Sequence, residues 1–169
     1  MRPTLLTLGL MLFFLSGCSE SERQNPVAKT ASVATADTIA LTTFKSATCG
    51  CCKLWVDHAS DGGFAIDARD VDNLNEIKQR HQIAPEFQSC HTSVSDNGYV
   101  FEGHVPAKLI RQFLQNPPAG ARGLAVPAMP LGSPGMEVGD RFTPYEVLQR
   151  NNDGSQSIYA NITRPEQQY

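Results

Sequence analysis

A chain of 169 residues has room for one domain plus flanking segments. A charged fraction of 18% and a net charge of −3 leave no basic face of the kind a nucleic-acid partner requires. The hydrophobic share of 41% suffices for a core, and 13 glycines with 11 prolines point to much loop.

Residues 1–17 read as a signal segment. Arg2 precedes an almost unbroken apolar run over 5–15, and small residues follow at Ser16 and Gly17. The run is shorter than the roughly 20 residues a membrane-spanning helix needs. Leu15-Ser16-Gly17-Cys18 resembles the bacterial lipobox, which implies lipidation of Cys18 and attachment to the membrane. By the same resemblance, Ser19 beside the lipid favours the outer membrane. Residues 18–36 are small and polar without apolar periodicity, so they read as a flexible tether, and the folded domain is expected over 37–169.

Within that domain, residues 38–45 alternate and are rich in β-branched side chains, which predicts a strand. A turn at 46–48 follows, with Thr48 as the expected cap of a helix over 51–60. Gly62 and Gly63 end that helix, and 64–68 forms a second strand. Val71, Leu74 and Ile77 give helical spacing over 71–81. Residues 87–94 and 99–102 read as a hairpin, because Asn97-Gly98 accepts the positive φ of a tight turn. Pro106 opens a helix through Leu114, which Asn116-Pro117-Pro118 stops. Residues 119–140 are Gly/Pro-rich with almost no periodicity, and 145–150 with 155–162 form a second hairpin. This order, with a cysteine motif between first strand and first helix, predicts an α/β fold. It is a thioredoxin-like sheet with flanking helices, a Gly/Pro-rich loop and a C-terminal β-hairpin extension.

The chemistry concentrates in cysteine. Beyond Cys18 the chain holds Cys49, Cys51, Cys52 and Cys90. In an oxidising compartment these would ordinarily form structural disulfides, but a scaffold spreads its cysteines and this chain clusters them. A helix start presents unpaired N–H groups and partial positive charge, which favour thiolates there. A thiolate is both redox nucleophile and metal ligand. Cys49 and Cys52 are three apart and can act as a redox pair, with Cys51 an additional thiol between them. Three converging thiolates suit a soft metal instead, and Cys90 is expected to bring a fourth from the strand beside the cysteine turn. Strand alternation favours Cys90 over His91 as the ligand from that strand.

Copper(I) prefers such donors and tolerates crowding that bridges more than one ion. A structural zinc site is a further alternative, although zinc usually takes two paired cysteine arms and here the second arm is Cys90 alone. His104, at a loop-to-helix junction, is a candidate ligand or cap. Met129 and Met136 offer thioethers or pack their loop. His58 and His81 read as structural and Trp55 as core. There is no paired-carboxylate site, no phosphate-cradling glycine loop and no Gly-x-Ser-x-Gly, so no catalytic constellation stands apart from the thiols.

Four stretches resemble the CopG-type periplasmic copper-resistance family, whose domain was long carried as one of unknown function. They are Thr48-Cys49-Gly50-Cys51-Cys52 with Trp55, Ser89-Cys90-His91-Thr92, residues 99–106 (YVFEGHVP) and residues 123–137 (GLAVPAMPLGSPGME). They occur in order and span about residues 38–150. The resemblance implies copper binding in the cell envelope through Cys49, Cys51, Cys52 and Cys90, a part in copper tolerance, and copper efflux or resistance proteins as partners. Two positions depart from the family pattern: Ala47 replaces a frequent proline before the cysteine turn, and Ala128 a common glycine beside Met129.

Overall fold

The computed structural model describes residues 38–169; the signal segment, Cys18, Ser19 and the tether lie outside the described residues. Seven strands form one mixed sheet in the order β2-β1-β3-β4-β5-β6-β7. The strands are β1 (Ile39–Lys45), β2 (Phe64–Asp70), β3 (His91–Ser95), β4 (Val100–Glu102), β5 (Ala121–Ala125), β6 (Tyr145–Asn151) and β7 (Gln156–Ile162). The helices are α1 (Gly50–Asp61), α2 (Leu74–Arg80) and α3 (Ala107–Gln115). No helix among the described residues is long and apolar enough to cross a membrane.

Two pairs, β1 with β2 and β4 with β5, run parallel. A parallel pair needs a crossover, and α1 and α3 supply them. The remaining pairs are antiparallel; β3–β4, across the expected turn at Asn97-Gly98, and β6–β7 are hairpins, whereas β1 meets β3 and β5 meets β6 through long connections.

Strand alternation sorts side chains onto two faces. Phe101, Leu124 and Val147 join the larger core with Trp55 and Ala59 of α1 and Ile110 and Phe113 of α3. Their neighbours Val100, Ala125 and Leu148 turn to a smaller cluster with Ile83 and Phe87, which follow α2. The α1 and α3 helices thus cover one face of the sheet, and the segment after α2 packs on the other.

Three expectations change. Cys49, not Thr48, occupies the N-cap position of α1, and no side chain caps that helix. Residues 87–90 are not strand: a 3₁₀ turn at Pro85–Phe87 leads into a bend, and β3 starts only at His91. Within the Gly/Pro-rich stretch, residues 121–125 form β5 beneath α3, because burial of Leu124 and Ala125 outweighs the weak local pattern. The expected C-terminal hairpin forms as β6 and β7 and extends the same sheet through β5.

Phe113 is the centre of the larger core. It is fully buried and meets Tyr99, Phe101 and Tyr159 edge-on at centroid distances of 5.1, 5.7 and 6.0 Å. Phe113→Ala should destabilise the fold by about 3–5 kcal/mol, measured by urea unfolding, through lost burial and a residual cavity.

Candidate metal centre

The cysteine turn is made by backbone before any side chain acts. The Cys49 N–H bonds to the Ser46 carbonyl at 3.1 Å, and the Cys49 carbonyl then accepts the Lys53 N–H at 3.3 Å, which begins α1. Cys51 and Cys52 therefore sit in the first helical turn, with Cys52 fully buried. Trp55 anchors the turn from below, with its indole N–H donating to the Val105 carbonyl at 2.9 Å.

The 89–92 segment delivers Cys90 to this turn. Its Sγ lies 3.9 Å from Cys51 Sγ, and its carbonyl oxygen lies 3.5 Å from Cys52 Sγ. The sulfurs of Cys49, Cys51, Cys52 and Cys90 all fall within 4.8 Å of one another. Cys49 and Cys52 are joined as a disulfide, while Cys51 and Cys90 are free thiols. The same four side chains can thus present two thiols and a disulfide or, after two-electron reduction, four thiols.

Two histidines complete the cluster. His104 Nδ1 is 2.7 Å from the Pro134 carbonyl and must donate to it, so Nε2 is left with its lone pair toward Cys90 Sγ at 3.0 Å. His91 Nδ1 stands 3.3 Å from the same sulfur. Cys90, His91 and His104 thereby form a second group of donors within reach of one ion. Because Cys90 precedes β3, strand alternation does not separate it from His91, and both approach the site. His91 Nε2 is buried with no hydrogen-bond partner among the described residues. Its ring lies between Trp55 and His104, at centroid distances of 4.5 and 5.1 Å.

The Gly/Pro-rich loop roofs the cluster. Gly135 has φ +86° and lies so close to α1 that a Cβ there would stand 2.7 Å from both the Cys51 carbonyl oxygen and the Trp55 nitrogen. Glycine is required on both counts. The loop's shape is held by Glu137, which accepts the Gly135 N–H at 2.7 Å and the Tyr169 hydroxyl at 3.0 Å. Met136 follows Gly135 and is half-buried, whereas Met129 is 49% exposed. Ala128 adopts φ +58°, the left-handed conformation that glycine takes without strain, and its carbonyl accepts the Ser89 hydroxyl.

Burial dominates the electrostatics. It pushes the Cys90 thiol up to about 12, and the neighbouring Cys51 adds to the shift. It also holds His91 well below the usual imidazole range, assisted by His104 and Lys78, and lowers His104 against the opposing pull of the Pro134 carbonyl and Glu137. Cys90, His91 and His104 are therefore neutral donors in a sulfur-rich site, which fits a soft cation able to displace a thiol proton.

The other histidines fall outside the cluster. His58 Nε2 accepts the Ala107 N–H at 3.1 Å and caps α3. His81 is the C-cap of α2, but burial and the nearby arginines lower its pKa, so it is not the charged cap that the helix end would favour. The second ring of the site, His104 buried beside Cys90, was accessible to sequence only as an even choice between ligand and cap.

The comparisons with known proteins agree with this geometry. A family described as a protein of unknown function, DUF411, matches residues 87–136, which include Cys90, His91, His104 and the covering loop. Two solved structures, copper resistance protein CopG in Form 2 and Form 1, are each 38% identical to this chain. They match with TM-scores of 0.71 and 0.70, over 75% of this chain and 99% and 98% of theirs. The chain belongs to the CopG-type family. No curated protein matches it. Membership carries the mixed α/β sheet with flanking helices and ties the cysteine cluster of this CopG-type chain to a copper-related role.

His58, His91 and His104 are each held neutral by burial, so the unfolded chain binds more protons than the folded one below pH about 6.5. Stability of the metal-free protein should be full above that pH and fall as pH drops through 6.5 toward 5. The slope should reach at most about 1.4 kcal/mol per pH unit for each such histidine, measured by thermal unfolding across a pH series.

Proposed function

We propose that the protein binds copper(I) in the bacterial cell envelope and acts in copper tolerance, holding the metal through Cys49, Cys51, Cys52 and Cys90. The observation that carries this reading is the meeting of four sulfurs within 4.8 Å at a part-buried helix start. His104 Nε2 faces the same space and adds a nitrogen donor, with His91 beside it. Copper(I) favours thiolate and accepts low coordination, and closely spaced thiolates can bridge more than one ion. Met136, adjacent to the roof of the site, is better placed than exposed Met129 to contribute a thioether. Lipidation at Cys18 would hold the domain at the membrane, within the periplasm and within reach of copper efflux or resistance proteins.

The Cys49–Cys52 disulfide favours a second reading, a thiol- or copper-linked oxidoreductase. Opening the disulfide consumes two electrons and, where the sulfurs leave as thiols, two protons. Two copper(I) ions can supply those electrons, becoming copper(II) as the two sulfurs become thiolates.

Anaerobic titration of the reduced protein with copper(I) against a competing chelator tests the binding reading. Uptake should consume the thiols. Cys90→Ser should weaken it by more than the roughly 10–100-fold that loss of an outer-shell partner costs. Cys51→Ser should also weaken uptake while sparing a Cys49–Cys52 redox couple. A protein that takes up no copper(I) yet cycles its disulfide readily would overturn metal binding in favour of the oxidoreductase.

A further inference from the structure

Behind the cysteine cluster lies a buried ion pair that the metal reading does not use. Glu102 on β4 is fully buried and pairs with Lys78 of α2, itself 3% exposed. The carboxylate also accepts the Ser89 backbone N–H at 2.7 Å through Oε1 and the Thr92 hydroxyl at 2.6 Å through Oε2. Thr92 and Glu102 face each other in the β3–β4 register. Lys78 Nζ lies 3.5 Å from the same Thr92 hydroxyl.

These contacts grip the two residues that bracket Cys90 and His91. Because the Cys90 backbone lies outside the ladder, its direction depends on contacts to its neighbours, and the Ser89 hydroxyl on the Ala128 carbonyl is the other side-chain bond that holds this bend. The segment needs that restraint: Cys90 must place its carbonyl against Cys52 and its sulfur between Cys51 and His104 at once. A buried ion pair is a poor source of net stability, since desolvation of both charges offsets their attraction. What it supplies here is geometry. A charged acceptor with two lone-pair-bearing oxygens fixes a backbone N–H and a side-chain hydroxyl three residues apart, and the ammonium of Lys78 fixes the carboxylate in turn.

We infer that Glu102, oriented by Lys78, is a positioning residue that sets the Cys90 thiol into the metal centre. The inference rests on Cys90 being a ligand, as proposed above. Outer-shell partners of this kind orient ligands, and their loss lowers metal affinity by about 10–100-fold.

Two readouts separate this role from simple stabilisation. The first is alkylation of Cys90 in the reduced, metal-free protein, followed residue by residue by mass spectrometry with Cys51 as the internal reference. The second is copper(I) affinity under the same conditions, both taken well below each variant's unfolding temperature. Glu102→Gln and Thr92→Val should speed Cys90 alkylation several-fold relative to Cys51 and weaken copper(I) binding by about tenfold or more. Ile110→Val, a packing change on α3 remote from the clamp, should change neither ratio. Should Glu102→Gln leave Lys78 unpaired and the protein unfolded, the Lys78→Met/Glu102→Gln pair removes both charges at similar volume and carries the same expectation. Folded variants whose Cys90 alkylates at the wild-type ratio would overturn the inference. A wild-type protein that takes up no copper(I) would instead defeat the metal reading, and the alkylation ratio would still decide whether Glu102 holds Cys90 in place.

Discussion

The docking of the 89–92 segment against the first turn of α1 is the contact on which the rest of the site depends. It brings Cys90 to Cys51 across a sequence separation of 39 residues, and the sheet makes that approach possible. β3 pairs with β1, so the residues just before β3 emerge beside the residues just after β1, where the cysteine turn begins. Gly103 allows the close passage. At φ +71° a Cβ there would stand 2.5 Å from the Ser89 Cβ and 2.6 Å from the Val126 carbonyl oxygen, so a side chain would push the segment away.

Burial of that contact decides its chemistry. An exposed helix start lowers thiol pKa through its unpaired N–H groups, but desolvation raises the Cys90 thiol in the opposite direction. In the absence of metal, Cys90 holds its proton, and the neighbouring histidines are held neutral. On the proposed metal reading a cation would have to displace that proton, so uptake would be coupled to proton release and would weaken in acid. The Cys49–Cys52 disulfide adds a second condition, since it withholds two of the four sulfurs until it is reduced. For a metal bound as proposed, occupancy would thereby depend on redox state at one turn of helix.

Much of this was legible in the sequence because the local signals were strong. Residues 38–45 alternate, the Asn97-Gly98 turn has a backbone requirement, and Pro106 marks a helix start, so β1, the β3–β4 turn and α3 were readable. The clustering of Cys49, Cys51 and Cys52 pointed to a site rather than a scaffold, and Cys49 with Cys52, read as an alternative redox pair, are joined as a disulfide. β5 was not legible, because Ala121, Gly123 and Ala125 have little strand character and their pairing comes from β4 and β6. The approach of His91 was hidden by the assumption that Cys90 already lay in the strand. Glu102 gave no signal at all. A lone glutamate in an apolar strand reads as exposed, and only the fold reveals Lys78, Ser89 and Thr92 around it.

Whether the convergent sulfurs are the metal's ligands can be read from X-ray absorption at the copper edge. The protein would be reduced, loaded anaerobically with copper(I) and measured without chelator. Sulfur ligation would give a copper environment dominated by sulfur, with a minor nitrogen contribution that falls in His104→Ala. A shell of nitrogen and oxygen alone, unchanged when Cys51 and Cys90 are replaced by serine, would contradict it.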